Sequence, residues 1–120
     1  MALYGKEMPG RYYTSGASSA LSIAIGDGSS NEVDTDGKPY RIHAVLLHIS
    51  ASEASGNDLT ITLTNSDHSE STTVYSKTMT GLQDHCYVLD FRVPSDCTVT
   101  VAFTEGDGET AELEVIYEKL

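Results

Sequence analysis

Hydrophobic and polar residues alternate with a period of two in several short stretches of the chain. The clearest is residues 59–64, where leucine or isoleucine at every second position is followed by threonine. Residues 98–103 alternate in the same way, and so do residues 112–117 apart from Ile116. Side chains of a strand point to its two faces in turn, so each stretch predicts a strand with one buried face. The residues that this spacing places in the core are Leu59, Ile61, Leu63, Val99, Val101, Phe103, Leu113, Val115 and Tyr117.

Turn-forming residues separate about seven or eight such segments at intervals of roughly 8–12 residues, which is typical of antiparallel sandwiches and jelly rolls. No stretch has the period of a long amphipathic helix. Asp107 and Gly108 predict a hairpin between the last two segments, and residues 93–95 predict another just before it. We therefore predict an all-β fold, an antiparallel β-sandwich that is jelly-roll-like, with an extended N-terminal arm.

Residues 1–19 differ from the rest of the chain because glycine, proline and serine are mixed with tyrosine in no regular pattern. Such a segment cannot bury much apolar area by itself, so we expect residues 1–19 to form an N-terminal arm and residues 20–120 a single β-sandwich domain. Two interpretations of the arm are open: a frayed terminus, or a contact segment that becomes ordered against a partner. The residues expected to make that contact are Tyr4, Lys6, Arg11, Tyr12 and Tyr13.

The chain is strongly acidic, with 18 Asp and Glu against 7 Lys and Arg and a formal net charge of −11. Such a charge repels nucleic acid and anionic membranes, so we expect neither as a partner. It indicates a solvated acidic surface, or an acidic face that docks on a basic partner. The sequence shows neither a secretion signal nor an apolar run of membrane-spanning length, so we expect synthesis and assembly in a cytoplasm.

The two cysteines, Cys86 and Cys97, are too few for a disulfide framework. In the hairpin predicted about residues 93–95 they would not lie opposite each other, so we expect both to be free thiols. A free cysteine most often behaves as a small apolar residue of the core, and this is the interpretation that we favour.

The sequence offers little that would support catalysis. His43 and His48 are five residues apart and would point to opposite faces of one strand. His85 is predicted in another strand, where the side chains of the residues next to it would point to the opposite face. Glu112 and Glu114 alternate with apolar residues and are interpreted as a solvated strand face. No nucleotide-binding, hydrolase or zinc-protease motif occurs, so we expect no enzyme activity and no cofactor.

The most site-like loop is residues 27–37, which is rich in Asp, Ser and Asn. Within it, residues 34–37 resemble half of a calcium-binding loop, but the third oxygen position and the terminal bidentate Glu of the full motif are missing. Asp34 and Asp36 are the calcium candidates. Because Asp and Gly also suit turns for their own conformational reasons, we expect no metal.

Four stretches share a pattern of short strands with apolar residues at or near alternate positions, namely residues 42–47, 57–64, 73–76 and 112–117. Through them the chain from residue 40 to its end resembles the small β-sandwich proteins encoded among bacteriophage virion genes, which decorate or cement capsids or form head-associated parts. The resemblance implies a structural virion protein, foremost a capsid decoration or cement protein that stabilises the head. It implies the major capsid protein or another virion protein as partner, homo-oligomers on the particle, and assembly in the host cytoplasm. It carries over no catalytic residue.

A carbohydrate-binding or host-surface-binding β-sandwich module is the alternative function. Such modules usually present aromatic platforms, whereas this chain has no Trp and only two Phe, Phe91 and Phe103, both in predicted strands. An enzyme is a third possibility, and it would need a constellation of catalytic residues that the sequence does not show.

Overall fold

The computed structural model describes residues 10–16, 20–49, 57–65, 70–79, 83–104 and 111–120, and these form nine strands and no helix. None of the described segments is a helix that could cross a membrane. The strands in chain order are β1 (Gly10–Gly16), β2 (Ala20–Gly26), β3 (Val33–Asp34), β4 (Tyr40–Ile49), β5 (Asn57–Asn65), β6 (Glu70–Met79), β7 (Gln83–Val93), β8 (Cys97–Thr104) and β9 (Ala111–Lys119).

The strands form two sheets, a four-stranded sheet in the order β1-β9-β4-β7 and a five-stranded sheet in the order β3-β2-β8-β5-β6. Apart from the short β3, which pairs in parallel with β2, every pairing is antiparallel. Four of these pairs lie one inside the next along the chain. Strand β5 pairs with β6, β4 with β7, β2 with β8 and β1 with β9. An antiparallel ribbon wound on itself in this way is a jelly roll, so the predicted all-β sandwich is confirmed.

Neither predicted hairpin is present. Strands β7 and β8 lie in different sheets, and so do β8 and β9, because each later strand joins an earlier partner of the wound ribbon. The chain does turn at Pro94, whose carbonyl accepts a hydrogen bond from the amide of Cys97, but the turn carries it across the sandwich. Residues 105–110, with Asp107 and Gly108, lie outside the described residues.

The core lies between the sheets and is built from the inward-facing residues of both. Of the residues predicted to be in the core, all but Leu63 and Tyr117 are buried, and these two are partly buried and pack against it. Both cysteines are free. They lie in different sheets rather than in one hairpin, with Cys86 exposed on β7 and Cys97 buried at the start of β8.

Tyr40 ties the two sheets together from inside the core. It belongs to β4 of the four-stranded sheet, and its fully buried hydroxyl donates a 2.7 Å hydrogen bond to the carbonyl of Ile25 on β2 of the other sheet. Burial raises the pKa of the Tyr40 hydroxyl well above its usual value, because the phenolate would lose its hydration. A donor in this position stabilises the sandwich only while it stays protonated.

Strand β1 corrects the prediction of a separate arm. Residues 10–16 pair with β9 along their whole length, from Gly10 opposite Tyr117 to Gly16 opposite Ala111. The physical reason is that β9 would otherwise be an edge strand with a free row of backbone donors and acceptors, which a short extended segment satisfies. Residues 1–9 and 17–19, including Tyr4 and Lys6, lie outside the described residues.

A β-bulge interrupts β4 at His43. The register of β4 shifts between Ile42 and Ala44 against both of its neighbours. Against β9, His43 is the extra residue, whereas against β7 the extra residue lies on β7, where residues 89 and 90 are opposite His43 alone. The imidazole Nε2 lies 3.1 Å from a carboxylate oxygen of Glu118 on the outer face. His48 is also on the outer face, since it pairs with Glu112, so the predicted opposite orientation of the two histidines is wrong because of the bulge.

Candidate functional site

Two ranks of side chains cross the outer face of the four-stranded sheet. Residues paired across antiparallel strands point to the same face, so the register defines each rank. The first rank consists of Tyr13, Glu114, Leu46 and Cys86. In the second rank the register aligns Ser15, Glu112, His48 and Asp84.

The ranks border an open groove of about 520 Å³. Its floor is apolar, because Leu46 is half-buried between the carboxylates of β9 and the strand β7. The ring of Tyr13 stands at the rim with 53% of its surface exposed. The residues lining the groove are Tyr13, Leu46, Leu47, His48, Cys86, Glu112 and Glu114.

Two diagonal contacts fasten the rim strand β1 to β9. The hydroxyl of Tyr13 donates a 2.6 Å hydrogen bond to Oε1 of Glu112. Arg11 donates from Nε to Oε2 of Glu114 in an ion pair, and this carboxylate raises the pKa of the guanidinium above its usual value. Both carboxylates therefore hold β1 in place at the edge of the groove.

The two glutamates differ in their charge balance. Glu114 is neutralised by Arg11, whereas no ion pair among the described residues includes Glu112. The partner of Glu112 is the neutral phenol of Tyr13. The groove therefore combines an exposed aromatic ring, an apolar floor and an excess negative charge at Glu112. Such a site can stack against a flat apolar face and accept hydrogen bonds.

The five arm residues predicted as a contact site do not stay together. Arg11 and Tyr13 are on the outer face and form the rim of the groove. Tyr12 is opposite Val115 and, partly buried, packs against the core, so it does not lie on the outer face with Arg11 and Tyr13. Tyr4 and Lys6 lie outside the described residues.

The remaining groove residues were missed by sequence analysis. Glu112 and Glu114 were correctly placed on one face of a strand, but alternation within β9 does not reveal which strands lie beside it. Leu46 and His48 also share a face because of the alternation within β4. They lie beside Glu114 and Glu112 only because β4 pairs with β9. The sequence signal that could have located the groove is Leu46, an apolar residue at an outward position of a central strand.

Asp34 and Asp36, the calcium candidates, shape a turn instead. Oδ1 of Asp34 accepts hydrogen bonds from the amides of Gly28 at 3.2 Å and Asp36 at 2.9 Å, and these bonds lower the pKa of the Asp34 carboxyl. Asp36 and Gly37 have φ angles of 57° and 74°, which suit a tight left-handed turn. Among the described residues, no group of three or more His, Cys, Asp or Glu side chains is placed to hold a metal ion.

No protein-family model matches the chain, and none of the curated proteins matches it. Among solved structures, it is similar to that of the CBM22-1–GH10 modules of the Clostridium thermocellum N-terminal endo-1,4-β-D-xylanase 10B, complexed with xylohexaose. The two sequences are 10% identical, the TM-score is 0.43, and the match covers 89% of this chain and 26% of the xylanase chain. A similarity of this degree transfers neither a ligand nor an activity to this chain.

Proposed function

We propose that the protein is a non-catalytic carbohydrate-binding module whose ligand lies in the groove on the outer face of the four-stranded sheet. The observation that carries the proposal is the exposed ring of Tyr13 beside two carboxylates and above an apolar floor. Sugar rings have apolar C–H faces that pack on aromatic rings, and their hydroxyls donate hydrogen bonds to carboxylates. A hydroxyl-rich ligand therefore suits every group that lines the groove.

The positions of the two carboxylates support binding rather than hydrolysis. Glu112 and Glu114 are two residues apart on β9, so their Cα atoms lie roughly 7 Å from each other along one strand. Both side chains rise from the same floor, on the same side of any ligand in the groove. The paired carboxylates of glycosidases flank the scissile bond instead, one on each side of the sugar.

Binding to an array of glycans, followed by isothermal titration calorimetry with the glycans that bind, tests this function. We expect Tyr13→Ala to weaken binding about tenfold or more, because the stacking surface is lost. Thr62→Ala is the control, since Thr62 is on the outer face of the other sheet, opposite Thr100. Failure of all glycans to bind, or equal binding by the Tyr13→Ala variant, would contradict the proposal.

A structural virion protein is the second candidate. Jelly-roll topology supports it, because this architecture is common to viral capsid domains and to lectins, although architecture alone does not assign a function. In this case the partner would be the major capsid protein or another virion protein, and the net charge of −11 argues against nucleic acid and anionic membranes. Co-sedimentation of the purified chain with phage particles, but not with glycan-coated beads, would favour this candidate over the first.

A further inference from the structure

We infer that the groove accepts uncharged glycans and excludes anionic ones, with Glu112 as the residue that determines this specificity. The inference rests on the proposed carbohydrate-binding function and goes beyond it by naming the charge class of the ligand. It follows from the way in which the charges on the outer face of the four-stranded sheet are paired.

Three of the cationic or potentially cationic side chains of this face each have a carboxylate partner. Arg11 pairs with Glu114. At the other end of the face, Nη1 of Arg41 lies 3.2 Å from Oδ1 of Asp90. Nε2 of His43 lies 3.1 Å from Oε1 of Glu118. None of these three side chains is left to attract an anionic ligand into the groove.

Two further basic residues among those that the structure describes lie on this face. His48 pairs in register with Glu112 inside the groove. Arg92 pairs in register with Arg41, beyond the bulge and at the far end of the face from the groove. Glu112 therefore gives the groove a negative charge that no described ion pair compensates.

A carboxylate-bearing sugar would meet two repulsive effects in the groove. One is the field of the whole chain, which carries a formal charge of −11 and is screened by salt over about 8–10 Å. The other is Glu112 itself, which is half-buried and in contact range of the ligand, so that salt screens it less. An uncharged sugar escapes both effects, and its hydroxyls can donate to the same carboxylate.

The test compares each neutral glycan that binds on an array with its counterpart oxidised to a uronate at C6, by calorimetry at about pH 8, where imidazole is neutral. We expect the uronate to bind about tenfold more weakly or worse. Glu112→Gln should reduce this preference severalfold. Asp58→Asn is the matched control, because Asp58 also accepts a hydrogen bond from a hydroxyl, that of Thr78 at 2.9 Å, but on the outer face of the other sheet.

The possible outcomes separate this inference from the function on which it rests. Equal or tighter binding of the uronates would overturn the charge specificity and leave carbohydrate binding standing. A preference that Glu112→Gln and Asp58→Asn reduce equally would overturn the role of Glu112, because the effect would then come from net charge alone. If no glycan of any charge binds, both the proposed function and this inference are overturned.

Discussion

The hydroxyl of Tyr13 and the carboxylate of Glu112 are joined by a 2.6 Å hydrogen bond that runs diagonally from the edge strand β1 to β9. The bond holds the exposed ring at the rim of the groove and orients one of its two carboxylates. A single contact thus couples the position of a strand to the shape of the candidate site.

The contribution of this bond can be separated from that of the ring by substituting Tyr13 with Phe. The variant keeps the aromatic surface and loses the hydroxyl, so we expect glycan affinity to fall only a fewfold, well short of the loss in Tyr13→Ala. A solvent-exposed hydrogen bond of this kind contributes about 0.5–1.5 kcal/mol. Calorimetry on the two variants measures the difference, and equal losses would show that the hydroxyl rather than the ring makes the contact.

Substitutions on the two faces of β5 should change the free energy of unfolding by different amounts, because only one face is in the core. Ile61 is fully buried between the sheets, so Ile61→Ala should lower the free energy of unfolding by about 2–5 kcal/mol. Its neighbour Thr62 points to the other face, and Thr62→Ala should change the free energy of unfolding by no more than about 0.5 kcal/mol. Urea denaturation of both variants checks the alternation, which would be refuted if the two losses were similar.

Stability at alkaline pH depends on the buried hydroxyl of Tyr40. Its pKa is raised in the folded state, so the stabilisation is fully present below about pH 10, the pKa of tyrosine in an unfolded chain. It is lost as the pH rises from there towards the folded-state pKa. We expect wild type to lose stability above pH 10 more steeply than Tyr40→Phe in urea denaturation. Parallel pH profiles would mean that Tyr40 is not the group responsible.

The turn built by Asp34 predicts a pH dependence of the opposite sign. Its pKa is lowered by backbone hydrogen bonds, so the stabilisation is present above about pH 4 and is lost as the pH falls further. Asp34→Ala should therefore be less stable than wild type at neutral pH, with the difference shrinking in acid. Calcium should leave the melting temperature of wild type unchanged, and a rise of several degrees on its addition would restore the calcium interpretation.

The fold class could be predicted from the sequence because alternation is a local property. Leu59 and Ile61 face the core simply because a strand has a period of two. The order of the strands in the two sheets could not be predicted from alternation. Pro94 and its neighbours specify a turn, but a turn of the same local form can close a hairpin or carry the chain to the other sheet, and here it does the latter.

The groove could be predicted only in fragments, for the same reason. Arg11 and Tyr13 stood out because one is basic and the other aromatic in a short polar segment. Their partners, Glu114 and Glu112, are about a hundred positions away in sequence. The bulge at His43 was also invisible, since one extra residue in a strand leaves no mark on composition. A site that is assembled by long-range strand pairing can be located only once the strand topology is known.

Mapping by two-dimensional amide NMR during a glycan titration tests the central claim most directly, because it shows where the ligand binds as well as whether it binds. We predict shifts confined to the outer face of the four-stranded sheet, centred on Tyr13, Leu46, Glu112 and Glu114. The amides of Thr62 and Thr100, on the other sheet, should not move. Shifts centred on the five-stranded sheet, or no shifts with any glycan, would contradict the account.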